Sequence, residues 1–348
     1  MLWFVGLGIS GLEGASTSTI QVLKKADMTF FEVFTSPISK QEISKIKKLV
    51  KGKLTIAPRW MVEDGKVILE LAKKKNVVLL AYGDPYVATT HLELRTRAEQ
   101  DKIKTRTIHA ASAITSLIGE CGLHHYKIGR PVTIMRELPS LATVYYTIYE
   151  NMVKGSHSLL ILEFDNSSNF FLDPRDAISN LLETEKGQKR NVIDQSTFAI
   201  VASRIGSKSQ KIISGKLGTL VKIDFGKPPH TIIIPGRLHF TEHDAIKIFS
   251  TCLDEPFDNS SKIVKISDQM LSRYIPKARG ALEEVVKMFK DDKTLSPVIE
   301  NAQLYIDDAE KFQKEGKEEL AVLSIGYAEG LIDALRLSRG IDPWAQSL

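Results

Sequence analysis

Short apolar runs alternate with stretches of helical periodicity through the first two thirds of this chain. Leu2 to Leu7, Met28 to Val33, Leu54 to Ala57, Val77 to Ala81 and Thr105 to His109 predict the strands of a first unit. Between them Ser18 to Ala26, Ser39 to Val50 and Val67 to Lys74 place apolar residues at helical spacing. A second unit is expected after Ala110-Ala111-Ser112. Its predicted strands are Pro131 to Met135, Ser158 to Phe164, Thr197 to Ala202, Gly218 to Ile223 and Thr231 to Ile234, and Leu138 to Lys154 and Pro174 to Lys186 read as its helices. Such alternation argues for α/β architecture.

The pattern changes near Asp254-Glu255-Pro256-Phe257-Asp258-Asn259-Ser260-Ser261, a polar stretch that reads as a linker. Beyond it strand signals vanish, and Val264 to Tyr274, Ala278 to Lys290, Pro297 to Glu315 and Lys317 to Arg339 predict helices. The last two, joined at Lys314-Glu315-Gly316-Lys317, predict a hairpin with Leu304, Ala309, Phe312, Leu320, Leu323, Tyr327, Leu331 and Leu335 along one seam.

With 348 residues, 43% hydrophobic and 26% charged, the chain has material for two or three globular domains. No apolar run is long enough to span a bilayer, so no membrane partner is expected. Met1 enters a strand directly, without a basic region or cleavage site before it. The two cysteines, Cys121 and Cys252, suit a cytoplasmic protein with idle thiols better than a disulfide framework. A net charge of +5 is mild, and the lysine runs at 45–53 and 73–75 are spaced as solvated helix faces, so no nucleic-acid partner is expected. His124, His125, His157 and His243 have no acidic or cysteine partner at ligand spacing, and no metal site is expected.

Chemistry concentrates in Tyr82-Gly83-Asp84-Pro85-Tyr86-Val87-Ala88-Thr89-Thr90-His91, directly after the apolar run Val77 to Ala81. A buried parallel strand commonly ends in a ligand-binding loop at its carboxyl edge. Gly83 can adopt backbone conformations closed to other residues, and Pro85 stiffens the turn. Asp84 is expected between them as a rigid, solvent-facing acceptor, with Thr89 or Thr90 capping the following helix. Gly6-Leu7-Gly8-Ile9-Ser10-Gly11, with Glu32 ending the next strand, imitates a dinucleotide-binding fingerprint. Helix character begins only near Ser16 to Thr19, however, too late for tight pyrophosphate docking. A glycine-rich loop that brings backbone close to a ligand fits better.

Gly83-Asp84-Pro85 through Val87-Ala88-Thr89-Thr90-His91 resembles the signature of the diphthine synthase family, within the larger tetrapyrrole-methylase fold family. Leu2 to Ile9, Phe31 to Ser36 and Gly122 to Gly129 are similar to further family segments. So are Phe225-Gly226-Lys227-Pro228-Pro229-His230 and Ile234 to Glu242, and together these motifs span roughly residues 1 to 255 in order. The resemblance implies an α/β, two-domain tetrapyrrole-methylase-like fold, residues 1–110 and 111–255, with S-adenosyl-L-methionine in the inter-domain cleft. A C-terminal all-α domain, 262–348, resembles a small archaeal helical domain of unknown function and is a departure from the family pattern.

By resemblance, Ile9, Asp84, Val87, Ser112, Ala113, Leu162, Ser214 and His239 would contact the donor. The activity implied is trimethylation of the amino group of 2-(3-amino-3-carboxypropyl)-histidine on translation elongation factor 2, by an enzyme that forms a homodimer. The acceptor side is expected near His91, Tyr126 and Glu242. Two rival readings are a methylase of a tetrapyrrole carbon and an interaction scaffold built on the helical tail. Blind to the resemblance, Ile9 and Leu162 read as core, and Ser214 as an ordinary turn hydroxyl.

Overall fold

A computed structural model describes residues 1–137 and 141–342, so the expected helix start at Leu138 and the tail from 343 lie outside the described residues. Met1–Ile263 forms one compact unit, and the chain from Val264 onward forms another.

The first sheet takes β1 (Leu2–Gly6), β2 (Met28–Glu32), β3 (Lys53–Ala57), β4 (Val77–Ala81) and β5 (Thr105–Ile108) in the order β3-β2-β4-β1-β5. All its pairings are parallel. Such a sheet needs cover on both faces, which explains why every residue of β4 is buried. One face packs on α1 (Thr17–Lys25) and α2 (Lys40–Leu49), through Leu23 and Ile46 against Val5, Phe31, Val78 and Leu80. The other carries α3 (Arg59–Asp64), α4 (Lys66–Ala72) and α5 (His91–Gln100), through Val62, Ile68 and Leu94 against Phe4, Phe30 and Leu79. Each such side chain contributes about 1.5–3 kcal/mol relative to exposure. Ser16 caps α1 by accepting the Thr19 N–H at 3.0 Å, and a 3-10 turn at Gly11–Gly14 separates that cap from β1. The glycine loop thus ends without a helix inside it.

The second sheet is mixed. After α6 (Ala113–Glu120) come β6 (Val132–Ile134), α7 (Leu141–Val153), β7 (Ser158–Leu162), and a small hairpin of β8 (Phe164–Asp165) and β9 (Phe170–Phe171). There follow α8 (Pro174–Gln188), β10 (Phe198–Ser203), β11 (Lys211–Lys216), α9 (Leu217–Leu220), β12 (His230–Ile234), α10 (Phe240–Phe249) and β13 (Thr251–Cys252). The strand order is β13-β11-β10-β12-β7-β6, and β12 runs antiparallel to both β10 and β7. Phe198, Ile200 and Ala202 pack with α6 and α10, whereas Ala199 and Val201 pack with α7 and α8. The strand expected at Gly218 to Ile223 is a helical turn instead. Leu217 and Leu220, three residues apart, both enter the core, and the strand lies just upstream in β11.

The expected linker is stitched to this sheet. Asn259 is buried, its amide donates to Phe198 O and Pro235 O at 2.9 and 2.6 Å, and its carbonyl accepts Phe198 N–H at 2.9 Å. Asp254 accepts the Lys216 N–H at 2.9 Å.

The remaining unit is a bundle of α11 (Ile266–Met288), α12 (Ser296–Lys314) and α13 (Glu318–Ser338). Two helices were expected where α11 runs unbroken through Pro276. Leu271, Ile275, Ala278, Leu282 and Val285 are buried at helical spacing on both sides of that proline, and their packing outweighs the missing N–H. The seam also differs from expectation. Ala302, Ile306 and Ala309 face Ala321, Ile325, Ala328, Ile332 and Leu335, while Leu304, Leu320, Leu323 and Tyr327 are exposed. Leu304 lies two residues from both Ala302 and Ile306, which carries it to the far side of the helix. No helix among the described residues is long and apolar enough to cross a membrane.

Candidate active site

In the first sheet β1 and β4 are neighbours, yet their chains leave toward α1 on one face and α5 on the other. Such a divergence opens a crevice above the carboxyl ends of the two strands. Gly8 and Gly83 line it, at φ +83° and +80°, in the left-handed region that favours glycine. They pair in antiparallel fashion: Gly8 N–H donates to Gly83 O at 3.2 Å and Gly83 N–H to Gly8 O at 3.0 Å. Tyr82 Oη donates to Ile9 O at 2.8 Å, tying the two loops again. The loop after β5 closes the set, for a Cβ on Gly6 would come within 2.7 Å of both Ala110 Cβ and Gly83 O. A Cβ on Gly83 would instead meet Ser112 Cα at 3.8 Å and Ala111 O at 3.9 Å, ordinary van der Waals distances, so Gly83 faces the loop that follows β5.

Asp84 sits beside this cradle but does not face solvent as expected; it is 7% exposed. Its Oδ1 accepts the Tyr86 N–H at 2.9 Å, which folds the turn on itself. Its Oδ2 accepts the Ala110 N–H at 3.2 Å and lies 2.9 Å from His109 Nδ1. The carboxylate therefore clasps the β4 and β5 loops together, with one of its four lone-pair directions left over. Neither threonine caps α5. Thr89 Oγ1 donates to Pro85 O at 2.6 Å, and Thr90 occupies the cap position without a side-chain hydrogen bond.

His91 is fully buried, and burial drives its pKa down to about 4. Its Nδ1 donates to Pro85 O at 2.9 Å, while Nε2 has no partner. Phe34 meets the imidazole edge-on at 6.4 Å, with the Arg59 guanidinium 5.1 Å above the Phe34 ring. Glu32, at the end of β2, is also buried, and burial raises its pKa despite hydrogen bonds from Thr35 and Phe34 N–H.

Ile9, half-buried, packs on Gly206 of the loop after β10, and Ser10 Oγ donates to Gly206 O at 2.9 Å. The two sheets are joined there. Val87 is half-buried in the signature loop, Ser112 caps α6 by accepting the Ile114 N–H at 3.2 Å, and Ala113 is the exposed first residue of that helix. Leu162 ends β7, at the same end of the second sheet as Ser203, His230 and the Gly206 loop. The structure thus brings Ile9, Asp84, Val87, Ser112 and Ala113 to one edge, with Leu162 on the strand ends beside the Gly206 loop.

Ser214 and His239 do not join them. Ser214 lies mid-strand opposite Ile200, fully buried, with its hydroxyl 2.6 Å from Ser250 Oγ at the end of α10. His239 lies beyond Ile234, which pairs with Ser158 at the start of β7, whereas Leu162 ends that strand. His239 caps α10, with its ring 5.6 Å from that of His124. Glu242, expected on the acceptor side, is fully buried and spent. Burial would raise its pKa, but hydrogen bonds from His157, His239 N–H, Lys127 and His124 N–H hold it well below the usual carboxylate range. Sequence reading missed Gly206, whose signal is a lone glycine just past a strand, and His109, whose signal is a histidine directly after β5.

Residues 1–221 match the family of tetrapyrrole (corrin/porphyrin) methylases, and residues 273–340 match a protein family of unknown function, DUF357. The diphthine synthase of Methanocaldococcus jannaschii is 36% identical over 252 residues, which is 71% of this chain and 98% of that protein. The diphthine synthase of Methanothermobacter thermautotrophicus is 32% identical over 246 residues, 70% of this chain and 93% of that protein. A crystal structure of a diphthine synthase superposes with a TM-score of 0.62 at 31% identity, covering 72% of this chain and 96% of that one. A conserved hypothetical protein of Aeropyrum pernix K1 shares the fold, with a TM-score of 0.67 at 21% identity over 78% of this chain and 96% of that one.

Proposed function

The chain belongs to the tetrapyrrole methylases and, among them, to the diphthine synthases, and we propose that it methylates the amino group of 2-(3-amino-3-carboxypropyl)-histidine on translation elongation factor 2. Three rounds turn the primary amine into the trimethylammonium group of diphthine. The methyl donor is S-adenosyl-L-methionine, which supplies an activated methyl on a sulfonium and leaves as a neutral thioether. The protein acts in the cytoplasm as a homodimer.

One observation carries the reading: the paired glycine loops at Gly8 and Gly83, at the sheet edge that also holds Asp84 and Ser112. An adenine, a ribose and an amino-acid tail need backbone groups, a carboxylate and apolar walls. Gly8, Gly83 and Ala111 supply backbone, Asp84 has a lone pair toward a hydroxyl, and Ile9, Val87 and Leu162 supply apolar surface. Ser112 and Ala113 open α6, whose positive end suits the carboxylate of the tail. Ser214 and His239 instead anchor the two ends of α10. The transfer needs no protein nucleophile; holding amine and methyl in line contributes about 7–11 kcal/mol at best.

Mass spectrometry of elongation factor 2 bearing the amino-carboxypropyl arm, incubated with this protein and donor, tests the reading. Three successive methyl additions on the modified histidine are expected. An unmodified factor, or label passing to a tetrapyrrole instead, would refute it.

A further inference from the structure

An ammonium cannot attack a methyl group, so each round needs a proton acceptor near the amine. The side-chain arrangement beside the glycine cradle supplies one. His109 follows β5 directly and lies 2.9 Å from Asp84 Oδ2 through Nδ1. The two differ in access: the Asp84 side chain is 7% exposed and that of His109 is 70% exposed. An ionised carboxylate only accepts, so Nδ1 carries the hydrogen and Nε2 presents a free lone pair to solvent. A buried carboxylate behind an accessible imidazole fixes the ring's tautomer and orientation and stabilises positive charge arriving on it. Asp84 is itself held by the Tyr86 and Ala110 N–H groups, so the pair cannot swing apart freely. The Tyr86 ring meets His109 edge-on at 5.9 Å, and the Arg95 guanidinium lies 5.6 Å from the centre of the Tyr86 ring.

We propose that His109 is the residue that deprotonates the acceptor amine, with Asp84 as the residue that positions it. This inference rests on the function proposed above. In each round the acceptor ammonium gives one proton to Nε2, and the freed lone pair on nitrogen bonds to the methyl carbon. The carbon–sulfur bond breaks with its electron pair going to sulfur, and the imidazolium passes its proton to water. After the third round the nitrogen has neither a proton nor a lone pair, and the sequence stops. No oxidant, metal or second substrate enters this balance.

The test uses the full chain, the arm-bearing elongation factor and labelled donor, comparing wild type with His109→Gln and His109→Ala. Glutamine keeps an N–H toward Asp84 but cannot accept a proton in the histidine's place. Near pH 7.5 we expect His109→Gln to lower turnover by about 10²–10³-fold, with donor affinity changed by less than about threefold. The deficit should shrink as pH rises toward about 9.5, where solvent deprotonates the amine. Millimolar imidazole should restore part of the activity of His109→Ala. Turnover of His109→Gln within about threefold of wild type would overturn the inference. So would a deficit independent of pH that tracks lost donor binding, since that describes a donor-site residue. Melting curves of both variants separate loss of fold from loss of chemistry. A wild-type protein that fails to methylate the factor would sink the functional reading itself, and this inference with it.

Discussion

Replacing Glu242 with glutamine is the most informative single perturbation of the fold. The Glu242 carboxylate is fully buried and gathers His157 Nε2 at 2.9 Å, His124 N–H at 2.8 Å, His239 N–H at 2.8 Å and the Lys127 ammonium. Glutamine has nearly the same shape, but its amide nitrogen would face donors where an anion stood. Breaking a buried ionic network by removing one partner costs about 3–5 kcal/mol. For a unit of this size that is a fall in melting temperature of about 6–20 °C. The pH dependence supplies an independent check. The folded pKa of Glu242 lies below its ordinary value of 4.5, so its contribution is present above that value and lost as pH falls below it. Calorimetry from about pH 7 down to pH 3 should show the wild type losing stability on the acid side more steeply than Glu242→Gln. A variant that melts within about 2 °C of wild type, or whose acid limb overlies it, would refute the reasoning.

Gly83→Ala should cost about 1–2 kcal/mol from its left-handed backbone alone and weaken donor binding measured by titration, because the added methyl sits against Ala111 and Ser112 at the cradle. Gly6→Ala has no such backbone penalty, yet should destabilise by about 1–3 kcal/mol through its collision with Ala110 and Gly83, as denaturant unfolding would reveal. His91 stays neutral in the fold down to about pH 4 while the unfolded chain protonates near pH 6.5, so its burial erodes stability as pH falls between those values. His91→Phe should flatten that window in melting experiments. In the bundle, Ile306→Ala should cost about 2–5 kcal/mol, whereas Leu304→Lys, at an exposed position, should shift stability by under about 0.5 kcal/mol.

The strands of the first sheet are legible because parallel strands buried on both faces write themselves as unbroken apolar runs, and Val77–Ala81 is the clearest. Strand β11 is not, since Lys211 and Lys216 close its ends and Ser214-Gly215 interrupts its middle. A Cβ on Gly215 would crowd Asp254 Oδ2 at 2.9 Å and Leu253 Cβ at 3.3 Å, contacts no local pattern encodes. The signature loop announces Asp84 but not its burial, for the partner that encloses it, His109, lies 25 residues away. Ser214 and His239 stand apart from the other candidates for a related reason. Motifs locate segments along the chain, and only strand register tells which end of a sheet each one reaches. In the bundle, counting leucines favours Leu304 and Leu323, while the buried core of α12 and α13 takes Ala302, Ala309, Ala321 and Ala328.

The hydrogen bond from Ser10 to Gly206 spans 196 positions of sequence, and the Gly8–Gly83 pair spans about 75. Loop closure over such lengths is paid before any contact returns it, so the Gly206 wall beside the cradle can only assemble once both sheets exist. A shortened chain that keeps the whole signature would therefore lack a wall of its binding hollow. Saturation with the methyl donor should accordingly report complete folding of the larger unit and protect it in proportion to ligand concentration, by mass action.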